Sequence, residues 1–182
     1  MKPAQQRRRI LIAGLGNVLM MDDGVGVHAV RELQKDPPLN VCIAEVGTAV
    51  LRAIHLIEQA NKIIAIDAVK IGGPPGTIYA FSAESAENQG HQVSLHELNL
   101  LGALRFLPPG HPRPAIVILG VEPQVIDYGL YLSEAVQAVL SQVVQAAREI
   151  VAGWERNPDT WSVAELEEAA KSGADDRTSA QT

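Results

Sequence analysis

Short runs of apolar residues alternate along this chain with longer stretches in which apolar positions recur at helical spacing. Arg9–Leu15 (RILIAGL), Val41–Val46, Lys62–Ile66 and Ala115–Val121 are short and rich in β-branched residues, which predicts buried strands. Gly76–Ser82 (GTIYAFS) alternates more and comes after a short Gly/Pro loop, so it is expected to pair antiparallel with the strand before it. Between these runs, Gly24–Leu33, Thr48–Ala60, Ser94–Leu107 and Ser133–Trp154 carry apolar residues at i, i+3, i+4 and i+7, which predicts helices. The alternation argues for an α/β domain with a largely parallel sheet. Ser94-Leu95-His96-Glu97 has the form of a capping box, placing His96 in the first turn of its helix. After Trp154 the pattern weakens, and from Ser172 onward no apolar anchor remains. The expected organisation is a lead-in at 1–8, a single α/β domain at 9–155 and a tail at 156–182.

Composition narrows the classes. The 182 residues fit one domain, and 47% hydrophobic with 20% charged residues is an ordinary globular mixture. A formal net charge of -6 removes the general positive field on which nucleic-acid affinity rests, and Arg7, Arg8 and Arg9 read as a solvated lead-in. The apolar stretch Ile10–Leu15 is too short for a membrane span, so no membrane insertion is expected. Cys42 is the single cysteine, which excludes an internal disulfide and any Cys-rich metal site; it reads as a small buried side chain within an apolar run. A reducing cytoplasm is the natural setting.

The first strand ends in Gly14-Leu15-Gly16-Asn17-Val18-Leu19, which begins like a dinucleotide fingerprint but has Leu19 where the third glycine belongs. No glycine-rich loop ending in Gly-Lys-Ser/Thr occurs either. The adjoining stretch Met20-Met21-Asp22-Asp23-Gly24-Val25-Gly26 places two carboxylates at a helix entry beyond the carboxyl end of a strand, the edge where open α/β sheets bind ligands. One aspartate is expected to cap the helix, leaving the other to face the crevice. Asp67, at the end of the Lys62–Ile66 strand, would bring a second carboxylate to the same edge if the strands run parallel. His96 is a third candidate, because the positive end of a helix disfavours the imidazolium form and a neutral imidazole is what a metal requires. Two carboxylates and an imidazole form a set suited to nickel, zinc or cadmium. His28 and His91 are expected at the surface, His91 near enough to the crevice to support a ligand; Glu45 either adds to the crevice or is an exposed strand-end residue. His55 and His111 receive no role. No Ser/His or Cys/His nucleophile pattern and no His-Glu-x-x-His motif is present.

In this order the motifs resemble the nickel-iron hydrogenase maturation proteases. Ile10–Gly26 (ILIAGLGNVLMMDDGVG) is similar to that family's first strand, Gly-x-Gly-Asn turn and acidic loop. Asp67-Ala68 with Gly73-Pro74-Pro75-Gly76-Thr77 resembles its second acidic station, Ser94-Leu95-His96-Glu97 its histidine station, and Gly120-Val121-Glu122-Pro123 with Leu132-Ser133 its last strand and final helix entry. The resemblance runs from about residue 9 to residue 150; many relatives carry glutamate at the position of Asp23, whose shorter side chain reaches less far. It implies a three-layer fold, a twisted, mostly parallel five-stranded sheet with helices on both faces, of the phosphorylase/hydrolase-like kind. It further implies an endopeptidase that removes the C-terminal extension of the hydrogenase large-subunit precursor; the alternative is a noncatalytic nickel-binding maturation chaperone using the same three residues, and in either case a monomer is expected. Nickel supplied by that precursor would be recognised by Asp23, Asp67 and His96, with Asp23 and Asp67 also the candidate catalytic groups.

Overall fold

The computed structural model describes residues 10–83 and 100–157. Five strands, β1 (Ile10–Leu15), β2 (Val41–Gly47), β3 (Lys62–Ala68), β4 (Ile78–Ser82) and β5 (Ala115–Val121), form one sheet in the order β2-β1-β3-β5-β4. β1, β2, β3 and β5 are parallel. β4 is the antiparallel edge, and its partner is β5 (Ile78↔Val121 to Ser82↔Val117), not β3 as the short Gly/Pro connection predicts. The Gly/Pro loop carries the chain past β5 rather than folding it back on β3. Bonds from Val69 N to the Val121 carbonyl and from Gly76 N to the Glu122 carbonyl hold that loop across the end of β5.

Helices cover both faces. α1 (Val25–Lys35) and α3 (Glu134–Arg156) pack Val25, Val30, Leu33, Val136, Val143 and Ile150 against Ile12, Ile64, Ile66 and Leu119 of the sheet. On the other face, α2 (Ile54–Gln59) and helical residues 100–103 bring Ile57, Leu100 and Ala103 against Leu11, Ile63 and Ile118. Ile12, Ile64, Ile66 and Leu119 are fully buried, and each such side chain stabilises the fold by roughly 1.5–3 kcal/mol relative to exposure. Alternate residues of the central strands serve opposite faces, so the continuous apolar runs mark strands buried on both sides.

The helices are shorter and tighter at their starts than periodicity implies. A 3-10 turn over Met21–Gly24 precedes α1, and another over Val50–Ala53 precedes α2. α3 begins where expected, Ser133 accepting from the Val136 amide as its N-cap. Cys42 is exposed on edge strand β2, which corrects the buried reading: an edge strand need not be covered on both faces, whatever its apolar content.

Candidate active site at the switch point of the sheet

β1 leads through α1 to β2 on one side, while β3 leads toward β5 on the other, so strand order reverses between β1 and β3. The crevice beyond the carboxyl ends of two such strands is the usual ligand position of an open α/β sheet. Here it receives the turn after β1 and the end of β3.

The turn is built by close backbone packing. Gly16 has φ +96, and a Cβ there would fall 1.7 Å from the Asp23 carbonyl oxygen and 3.5 Å from Asp67 Oδ1. Only glycine meets both demands. Gly16 is thus bordered by the backbone carbonyl of Asp23 and the side chain of Asp67, which come from different segments. Gly26 lets the start of α1 lie on the sheet, since its Cβ would meet the Ile66 carbonyl oxygen at 2.0 Å. The Gly-x-Gly turn therefore serves chain packing, in line with the failed dinucleotide fingerprint.

Asp23 is partly exposed, and its Oδ2 accepts from Asn17 N at 2.7 Å. Asp67 is fully buried; it lies within β3, paired with Gly120 of β5, and its Oδ1 accepts from Ala68 N at 2.9 Å. The strand thus continues past the Ile66 end expected from sequence. Beside this crevice a cleft of about 220 Å³ is lined by Gly16, Asn17, Arg31, Glu45, Gly47 and Thr48 among others. Glu45 is exposed and pairs with Arg31 at 2.9 Å. His96, His91 and the Ser94–Glu97 capping box lie outside the described residues. Among the described residues no group of three His, Cys, Asp or Glu side chains could hold a metal ion.

Asp22 does not cap a helix, nor does Asp23: neither the 3-10 turn nor α1 has a side-chain cap. Asp22 is instead fully buried and accepts from Gln124 N and Val125 N at 2.9 Å, Ser133 N at 2.7 Å and Ser133 Oγ at 2.8 Å. It ties the acidic turn to the segment after β5 and to the start of α3. Partners more than a hundred positions away leave no local trace, so spacing alone points to the cap. His28 also departs from the surface reading: it is half-buried, and its Nε2 is enclosed without a hydrogen-bond partner. Burial, aided by Arg31, holds its pKa below the usual 6.5.

Glu122 enters the sequence reading only as part of a motif, and the structure gives it a task. Buried after β5, it accepts from the amides of Ile71, Gly72 and Gly73 and from Tyr79 Oη at 3.0 Å, fixing the loop after β3. Burial alone would raise its pKa, but these donors outweigh burial and hold the carboxyl below the ordinary 4.5. A depressed carboxyl contributes stability that is complete above its unfolded value and is lost as pH falls through the folded value. Glu122→Gln is therefore expected to unfold at lower urea concentration than wild type at neutral pH, the gap narrowing as pH falls below 4.5. A gap independent of pH would show that charge at Glu122 does not matter.

A mostly parallel sheet with helices on both faces and acids beside its switch point places the protein among the α/β folds that bind ligands at such a crevice. A family model described as hydrogenase maturation protease matches residues 27–150, and the chain belongs to the hydrogenase maturation protease family. It is 32% identical over 152 residues to the hydrogenase 2 maturation protease of Escherichia coli, covering 78% of this chain and 92% of that protein. It is 28% identical over 155 residues to the hydrogenase expression/formation protein HoxM of Cupriavidus necator, covering 80% and 75%. The solved structure of the [NiFe] hydrogenase maturation protease HybD from Thermococcus kodakarensis superposes with a TM-score of 0.69 at 30% identity, covering 78% of this chain and 98% of that one. The protein is a protease. No described helix is long and apolar enough to cross a membrane.

Proposed function

We propose that this protease removes the C-terminal extension of the nickel-iron hydrogenase large-subunit precursor once nickel has been inserted, and that the substrate's own nickel is its recognition element. The observation that carries the reading is that Asp23 and Asp67 both border the Gly16–Asn17 turn of a hydrogenase maturation protease, Asp23 with its backbone carbonyl at Gly16 and its carboxylate on Asn17 N, Asp67 with its Oδ1 facing Gly16. Two carboxylates in a partly water-excluded crevice focus a negative potential that draws a cation far better than a neutral apo-precursor segment. His96 is assigned as the nitrogen donor on the strength of its station in the sequence alone.

Asp67, fully buried, serves as anchor for the substrate-borne metal, while the more accessible Asp23 takes a proton from the attacking water. Water adds to the scissile carbonyl, its proton passes to the carboxylate, and that proton then goes to the leaving amine as the peptide bond breaks. Docking the metal fixes the scissile bond relative to Asp23, so recognition and positioning are one event.

Incubating the protein with nickel-loaded and nickel-free precursor and following precursor mass tests the proposal. Loss of the extension from the loaded form alone is expected. Equal cleavage of both forms would refute metal gating.

A further inference from the structure

Six of the large exposed apolar side chains lie together beside the acidic turn: Leu19 (56% exposed), Val125, Ile126, Tyr128 (88%), Leu130 and Tyr131 (81%). The backbone shows that they share one platform. Met20 forms a parallel bridge with Gly129, Met21 N donates to the Gly129 carbonyl, Gly129 N donates to the Leu19 carbonyl, and Asp22 N donates to the Val125 carbonyl. Asp22 locks the same two segments through its side chain. The loop over 124–131 is thus held in the same hydrogen-bonded unit as the turn that carries Asp23.

Tyr128 and Tyr131 keep most of their surface in water, and neither ring belongs to the hydrophobic core. Contiguous exposed apolar surface of this kind marks an interaction site. We infer that this ledge is the docking surface for the substrate protein, and specifically for an apolar face of the hydrogenase large-subunit precursor next to its C-terminal extension. The inference rests on the proposed function and deepens it. Continuity names the occupant: the bonds that hold the ledge fall on Leu19, Met21 and Asp22, in the same turn as Asp23, so a precursor whose scissile bond reaches Asp23 is brought beside the ledge. Charge agrees with it, since residues 123–132 carry one carboxylate, Asp127, and no cation, which fits an apolar partner with a neutral or basic margin. Tyrosine supplies a large contact area at small entropic cost, as in the hot spots of other interfaces.

The division of labour is that the crevice tests the metal and the ledge supplies affinity. The test compares wild type with Tyr128→Ser/Tyr131→Ser, using purified loaded precursor, and reads direct binding, KM, kcat, thermal unfolding and sedimentation. Loss of the two rings is expected to weaken binding and raise KM roughly 10- to 100-fold, with kcat within about twofold and unfolding unchanged. An unchanged KM beside normal cleavage overturns the ledge and leaves the proposed function standing. Wild type that binds precursor without cleaving it, with binding lost in the variant, overturns the function and keeps the ledge. A wild-type dimer that the variant lacks, with equal precursor binding, assigns the ledge to a second copy and overturns the inference; no binding by wild type overturns both.

Discussion

Replacing Asp67 by asparagine is expected to lower cleavage of nickel-loaded precursor by roughly 100- to 10,000-fold, the range lost when a positioned acid-base or orienting group is removed. Asparagine keeps the volume of a side chain that is fully buried and keeps an oxygen to accept from Ala68 N. The strand around it, paired from Lys62↔Ala115 to Ala68↔Val121, has no reason to move. What changes is charge: a neutral amide binds a metal cation far less well, and Asp23, whose carboxylate accepts from Asn17 N, is left as the remaining acid of the pair. If Asp67 anchors the metal, affinity for loaded precursor falls to that for unloaded precursor while thermal unfolding stays near wild type. Full activity in Asp67→Asn would remove Asp67 from the site.

Much of this is legible in sequence because the determinants are local. Buried strands betray themselves as apolar runs, and β5 lies at Ala115–Val121 as its pattern predicts. Asp67 lies at the carboxyl end of β3, which runs parallel to β1, and Asp23 follows β1 in the 3-10 turn before α1. Features that depend on partners distant in the chain escape such a reading. Asp22 reads as a cap because a cap is what an aspartate at a helix entry does locally, whereas its four partners lie at Gln124, Val125 and Ser133. β4 reads as a partner of β3 because loop length says nothing about which strand lies at the end of the sheet. Cys42 reads as buried because edge and centre strands share the same apolar alphabet.

The second large effect falls on stability. Asp22→Ala is expected to destabilise the protein by about 4 kcal/mol, since hydrogen bonds to a charged acceptor contribute about 1.5–3 kcal/mol each and water reaching the exposed segment restores part of the loss. Three backbone amides and a hydroxyl lose their acceptor, among them the Ser133 amide at the start of α3. α3 supplies Val136, Val143, Ala147 and Ile150 to the core, so the damage is not confined to a surface turn. Asp22→Asn is expected to recover little. One oxygen faces the Ser133 amide and the other faces the amides of Gln124 and Val125, so the NH₂ group meets a donor in either orientation. Urea unfolding of the three proteins measures this directly: an alanine variant within about 1 kcal/mol of wild type would mean these bonds are replaced by water at no cost. Because Asp22 joins the turn of Asp23 to the 124–131 segment, the surviving folded fraction should also bind precursor less tightly. Asp67→Asn, by contrast, should leave the ledge's metal-independent binding intact, and that difference separates loss of a platform from loss of a ligand.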